Sequence, residues 1–182
     1  LNSFLAKWQQ RWPEWSLVEP SIAAGQRPLA QAWFALLQEF EDILCAEGDT
    51  TGQDAKLAWW AEELRSWEAQ RSRHPLGRVL DPVRAPWIAL AASLPDLLAA
   101  RGALATAEMV RSALRGYAQA VAAAEAVIFA TPLHKEAAEV VLRHTLAQRL
   151  ERSAQRAVPA SIAADTPGAA VAAWASQLLA GW

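Results

Sequence analysis

Residues 56–80, KLAWWAEELRSWEAQRSRHPLGRVL, begin with the spacing of a helix and end in a bend. Leu57, Trp60, Leu64 and Trp67 fall on one apolar face, while Glu62, Arg65 and Glu68 form a solvated face opposite. Thr50 or Thr51 can cap the start of this helix. Residues 72–86 then collect Pro75, Pro82, Pro86 and Gly77, which reads as a bend or a short helix between longer ones.

Upstream, Trp33, Leu36, Leu37, Phe40, Ile43 and Leu44 make another helical stripe, within an acidic helix over 34–47. Pro28 suits its first turn, and Gly48-Asp49 ends it. Downstream, 85–101 reads as a helix interrupted by Pro95, and 103–130 as an alanine-rich helix. Thr131-Pro132 marks a boundary before a helix over 133–156, and Pro159 and the turn at 165–168 precede a last helix over 169–180. No strand alternation competes with these patterns. The expectation is an all-α, single-domain antiparallel helical bundle over residues 1–182.

Composition narrows the function classes. With 182 residues the chain can bury a sizeable core, and a net charge of −2 gives no field that draws it onto nucleic acid. Glu125 breaks the best apolar run, 117–130, so no transmembrane segment is expected. The first fifteen residues carry Lys7 and Arg11 among tryptophans and lack a signal-peptide pattern. The lone Cys45 excludes an internal disulfide and a cysteine-cluster metal site. A cytoplasmic protein is expected, with peripheral contact with a membrane as the alternative. Ten tryptophans outnumber four phenylalanines and one tyrosine, and they serve either as interhelical filler or as the lining of an apolar pocket.

The WW and HP elements of 56–80, with the acidic helix before them, resemble the squalene/phytoene synthase family, whose members read close to KLxWWRxEL and then HPVxxAL. Beyond residues 34–80 the likeness is looser, although it spans most of the chain. It implies a helical bundle of the isoprenoid synthase type around a deep apolar cavity, here in a degenerate, shortened member. Phe34, Leu37, Trp60 and Tyr117 are the residues that the resemblance puts against such a pocket. Family enzymes join prenyl diphosphates head to head, using Mg²⁺ held by two aspartate-rich helical motifs. The cation neutralises the departing diphosphate, and carboxylates a turn apart on a helix can hold it.

The first family motif, near CREVDDxxDE, corresponds to 37–46, where Glu41 replaces one aspartate, Asp42 is kept and Cys45 replaces a third. A thiol is too soft to be a Mg²⁺ ligand. The second motif matches 142–152 by helical position and the trailing Pro159, with Gln148 and Arg152 at its aspartates and Glu151 beside them. An arginine there repels a metal, although it can bind an anion. Glu41, Asp42, Glu151 and Arg152 are therefore the candidate diphosphate or metal remnant, and no residue stands out as catalytic.

Three readings follow. The first is a non-catalytic homologue that binds an isoprenoid or other lipid, or a protein partner. The second is an active prenyltransferase in which Glu41 and Asp42 hold Mg²⁺, Glu151 completes the metal shell and Arg152 or Arg143 takes the diphosphate. The third is a structural helical scaffold. Exposed tryptophans on one face favour the scaffold, and a buried apolar cavity favours the lipid ligand. His74, His134 and His144 lack the spacing of a metal pair. The pairs Glu39/Asp42 and Glu136/Glu139 read as solvated faces, and Arg65, Arg71, Arg73, Arg78 and Arg84 as partners of nearby acids.

Overall fold

The structure is a computed structural model that describes residues 2–102 and 107–157. Among these the chain is helical and carries no strand. The helices are α1 (Asn2–Arg11), α2 (Trp15–Val18), α3 (Arg27–Leu44), α4 (Thr51–Glu68), α5 (Gly77–Leu80), α6 (Trp87–Ser93), α7 (Pro95–Gly102), α8 (Ala107–Ile128) and α9 (Ala137–Ala157). The helix expected over 169–180 lies outside the described residues.

Both apolar stripes turn inward. Trp33, Leu36, Phe40, Ile43 and Leu44 of α3 are buried, as are Leu57, Trp60, Leu64 and Trp67 of α4, while Glu62, Arg65 and Glu68 stay exposed. Pro28 sits in the first turn of α3, where a missing N–H costs nothing. The end of α3 differs from the expectation. It stops at Leu44 because Cys45 leaves helical angles and the Ala46 N–H turns back to the Ile43 carbonyl, a tightened last turn. The cap of α4 differs too. Thr50 holds the N-cap position without a side-chain bond, and Asp49 Oδ1 instead accepts from the Thr51 N–H (3.0 Å) and hydroxyl (2.7 Å).

Pro95 divides the expected 85–101 helix into α6 and α7, as its lost donor requires. Opposed numbering makes α3 and α8 antiparallel. Trp33 meets Glu125 and Phe34 meets Phe129, whereas Phe40, later in α3, meets the earlier Tyr117. Helix α8 also packs against α7 and α9, and α1 lies on α3. One continuous apolar core runs from Trp8 to Leu142.

The bend after α4 is organised by one buried carboxylate. Glu63 is fully buried, and its Oε1 accepts from the Trp67 indole (3.0 Å) and the backbone N–H groups of Arg73 (2.6 Å) and His74 (2.8 Å). Its Oε2 takes the Arg73 guanidinium at 3.0 Å. Burial raises the Glu63 carboxyl, but these donors outweigh it and hold the group below its ordinary value. Gly77 then packs onto Trp67 so closely that a Cβ there would stand 2.7 Å from the indole nitrogen and 2.5 Å from the Ser72 Cβ. The tandem tryptophans divide their work. Trp60 points into the core, and Trp59 lies outside, with the Arg73 guanidinium 5.9 Å from its ring centre. The WW…HPxG signature is thus a folding device.

Two substitutions test this. Glu63→Gln keeps the shape but removes the charge that four donors converge on, and should cost about 2–3 kcal/mol in urea unfolding. Gly77→Ala should also lower the midpoint, because the indole and Ser72 must move. Unchanged midpoints for both would contradict the arrangement.

Candidate functional site

Two sequence-remote segments meet beside α3. The buried Arg152 guanidinium of α9 donates from Nη1 to Asp42 Oδ1 at 2.9 Å and reaches Glu41 Oε2 from Nη2 at 3.5 Å. The structure therefore brings together three of the four candidate remnant residues. Glu151 is exposed on α9.

Asp42 also holds Lys7 at 2.8 Å and Arg11 at 3.4 Å, both from α1. Its neighbour Glu39 is buried and holds Lys7 at 2.9 Å together with Lys56. Glu39 and Asp42 are therefore not the solvated face that their spacing suggested. They pin the N-terminal helix, which the sequence did not reveal, onto α3. Gln38 extends the contact by donating to Asp42 Oδ1 (2.9 Å) and accepting from the Trp12 indole (3.1 Å). Glu136/Glu139 behaves differently and stays largely in solvent, with Glu139 engaging Arg111 and Arg143.

Burial sets the protonation of this group. Burial pushes Glu41 up to about 7, against the pull of Arg152. Burial also raises Asp42, but Lys7, Arg152 and Arg11 outweigh it and hold it below the ordinary aspartate value. The residues do not fit Mg²⁺. Lys7, Arg11, Lys56 and Arg152 already answer the charges of Glu39, Glu41 and Asp42, and a divalent ion would have to displace a buried guanidinium. Nor is Arg143 placed to take a diphosphate there, since it pairs with Glu139 at 3.4 Å. Among the described residues no cluster of three His, Cys, Asp or Glu side chains is arranged to hold a metal ion.

Above the ion pairs lies a cavity of about 450 Å³. Its floor is one face of α3, formed by Phe34, Leu37, Gln38 and Glu41 at helical spacing. Tyr117, Val121 and Glu125 of α8 form one wall, and Val140, Val141, His144 and Thr145 of α9 another. The N-terminal segment closes the remaining side with Trp8, Trp12, Trp15 and Val18. Of the four residues expected against a pocket, Phe34, Leu37 and Tyr117 line this cavity. Trp60 does not. It is 1 % exposed and packs in the core against Phe40 and Trp67, because its position on α4 faces inward toward α3 and α6.

Sequence reading missed the contribution of Trp8, Trp12 and Trp15, whose cluster in a charged segment was the available signal. Glu125 broke the apolar run for a reason now visible. It lines the cavity, and its Oε1 accepts from the Trp33 indole at 3.0 Å. Burial raises its carboxyl, and the same burial, with the charges of Glu41 and Glu125, raises Tyr117 well above the usual phenol value. His144 Nε2 lies 3.7 Å from Glu41 Oε1 and is half-exposed at the cavity edge.

Comparison of this chain with protein-family models, curated proteins and solved structures finds no match.

The pH dependence of stability has a definite sign. Glu41 is raised in the folded state, so its contribution is fully present below about 4.5 and is lost as pH rises through about 7. Glu41→Gln removes this titration. The stability difference between variant and parent should therefore shift in the variant's favour by about 2–3 kcal/mol between roughly pH 5 and pH 8. A pH-independent difference in urea unfolding would contradict the buried, raised carboxyl.

Proposed function

We propose that this chain is a non-catalytic relative of the squalene/phytoene synthases that binds an isoprenoid or similar lipid in the cavity between α3, α8, α9 and the N-terminal segment. One observation carries the reading. A cavity of about 450 Å³ is lined mainly by aromatic and aliphatic side chains with a few polar groups, within the size range of small-molecule sites. The encounter of Arg152 with Glu41 and Asp42, 111 and 110 residues away in sequence, supports the relationship between the two motif-like stretches. It also speaks against metal-assisted prenyl transfer, because the carboxylates are engaged by the chain's own cations.

Burial of the tryptophans favours a ligand over a scaffold. Trp59 is the one exposed tryptophan among the described residues, at 39 %, and no tryptophan face is presented to solvent as a docking patch. Exposed Val18 and Val140 at the cavity edge, with Leu17 beside them, suit entry of an apolar molecule from a membrane or a carrier. No described helix is long and apolar enough to cross a membrane.

Farnesol should quench tryptophan fluorescence saturably, since three indoles line the cavity. Leu37→Trp fills the floor and should weaken binding by about ten-fold or more. Val140→Trp obstructs the exposed edge without loading the core and should act the same way. Absence of saturable binding, or binding indifferent to both variants, would overturn the proposal.

A further inference from the structure

The charge of the cavity lining goes beyond what an apolar pocket requires. Glu14, Glu41 and Glu125 all line it, and among the described residues no lysine or arginine does; the basic side chain there is His144, whose imidazole burial pulls toward its neutral form. Glu41 has Arg152 behind it, but Glu125 is different. Its recorded contact is the Trp33 N–H, and among the described residues no cation lies within ion-pairing distance of it. Glu125 is half-buried, and keeping such a carboxylate ionised without a counter-charge is costly, unless a cation joins it. Indole and phenyl faces of Trp8, Trp12, Trp15 and Phe34 share the same space. Aromatic faces attract organic cations, most strongly where water is excluded.

We infer that the cavity selects an apolar molecule bearing a protonated amine, with Glu125 as its counter-charge and the aromatic walls around it. This rests on the proposed ligand-binding role and names the class of head group that the site accepts. The same geometry rejects a diphosphate head. Such a group would meet three carboxylates in the lining, while the Arg152 guanidinium is occupied by Glu41 and Asp42.

The test compares decylamine, decanol and decyl phosphate by tryptophan fluorescence at about pH 8, where the amine is protonated. These probes share one chain and differ in head-group charge. The amine should bind about ten-fold or more tighter than the alcohol, and the phosphate more weakly than either. Glu125→Gln should bring the amine down to the affinity of the alcohol, with melting used to verify that the variant folds. If Glu125→Gln does not fold, Glu14→Gln with Glu41→Gln should still reduce the preference for amine over phosphate.

Phosphate binding as tight as amine binding, or an amine preference untouched by these variants, would overturn the inference and leave the apolar pocket standing. Failure of all three probes, decanol included, would strike the ligand-binding reading itself.

Discussion

The placement of Arg152 governs the rest of the site. A guanidinium that is 7 % exposed is held between Glu41 and Asp42, and it draws α9 against the end of α3. Breaking such a buried pair by removing one partner costs about 3–5 kcal/mol, because the survivor keeps its charge without compensation. The same contact sets one wall of the cavity, since Val141, His144 and Thr145 lie on the helix that Arg152 anchors. It also decides the chemistry. Carboxylates arranged to hold a metal must be free to coordinate it, and here the protein's own cations hold them.

Two buried carboxylates, Glu63 and Glu39, complete the frame. Glu63 ties the bend after α4 to Trp67, Arg73 and His74, which fixes how Phe4 of α1 meets the His74 ring, 4.4 Å away between ring centres. Glu39 and Asp42 take Lys7, and Asp42 also takes Arg11, so α1 and the tryptophans that follow it close over α3. The cavity exists because these contacts hold the N-terminal segment at its side. A purely apolar closure would be looser in register, whereas charge pairs with hydrogen bonds specify which turn of α1 meets which turn of α3.

Much of the helical order was legible because period 3.6 is written plainly in α3 and α4, and because Pro28 and Pro95 act through local sterics. The end of α3 and the cap at Asp49 were not, since competing local hydrogen bonds decide them within a residue or two. At the site, sequence reading named Glu41, Asp42 and Arg152, and with them Phe34, Leu37 and Tyr117. It assigned Trp60 to the pocket because an aromatic on an apolar face looks the same whether that face meets core or cavity. It missed α1, which is held by Trp8, Phe4 and Leu5 packing on the core together with the Lys7 and Arg11 ion pairs, and not by a long apolar stripe. It could not see that Glu125 completes a Trp33 hydrogen bond, because the two residues are 92 positions apart.

The central claim is that this fold satisfies its acidic cluster internally and binds without a metal. Calorimetric titration of Mg²⁺ into the protein, alone and with farnesyl diphosphate, tests it most directly. The account predicts no saturable heat beyond that of Mg²⁺ binding free farnesyl diphosphate, in the parent and in Asp42→Asn alike. A saturable Mg²⁺ isotherm that Asp42→Asn abolishes would contradict it, and would mean that Arg152 yields its carboxylates to the metal.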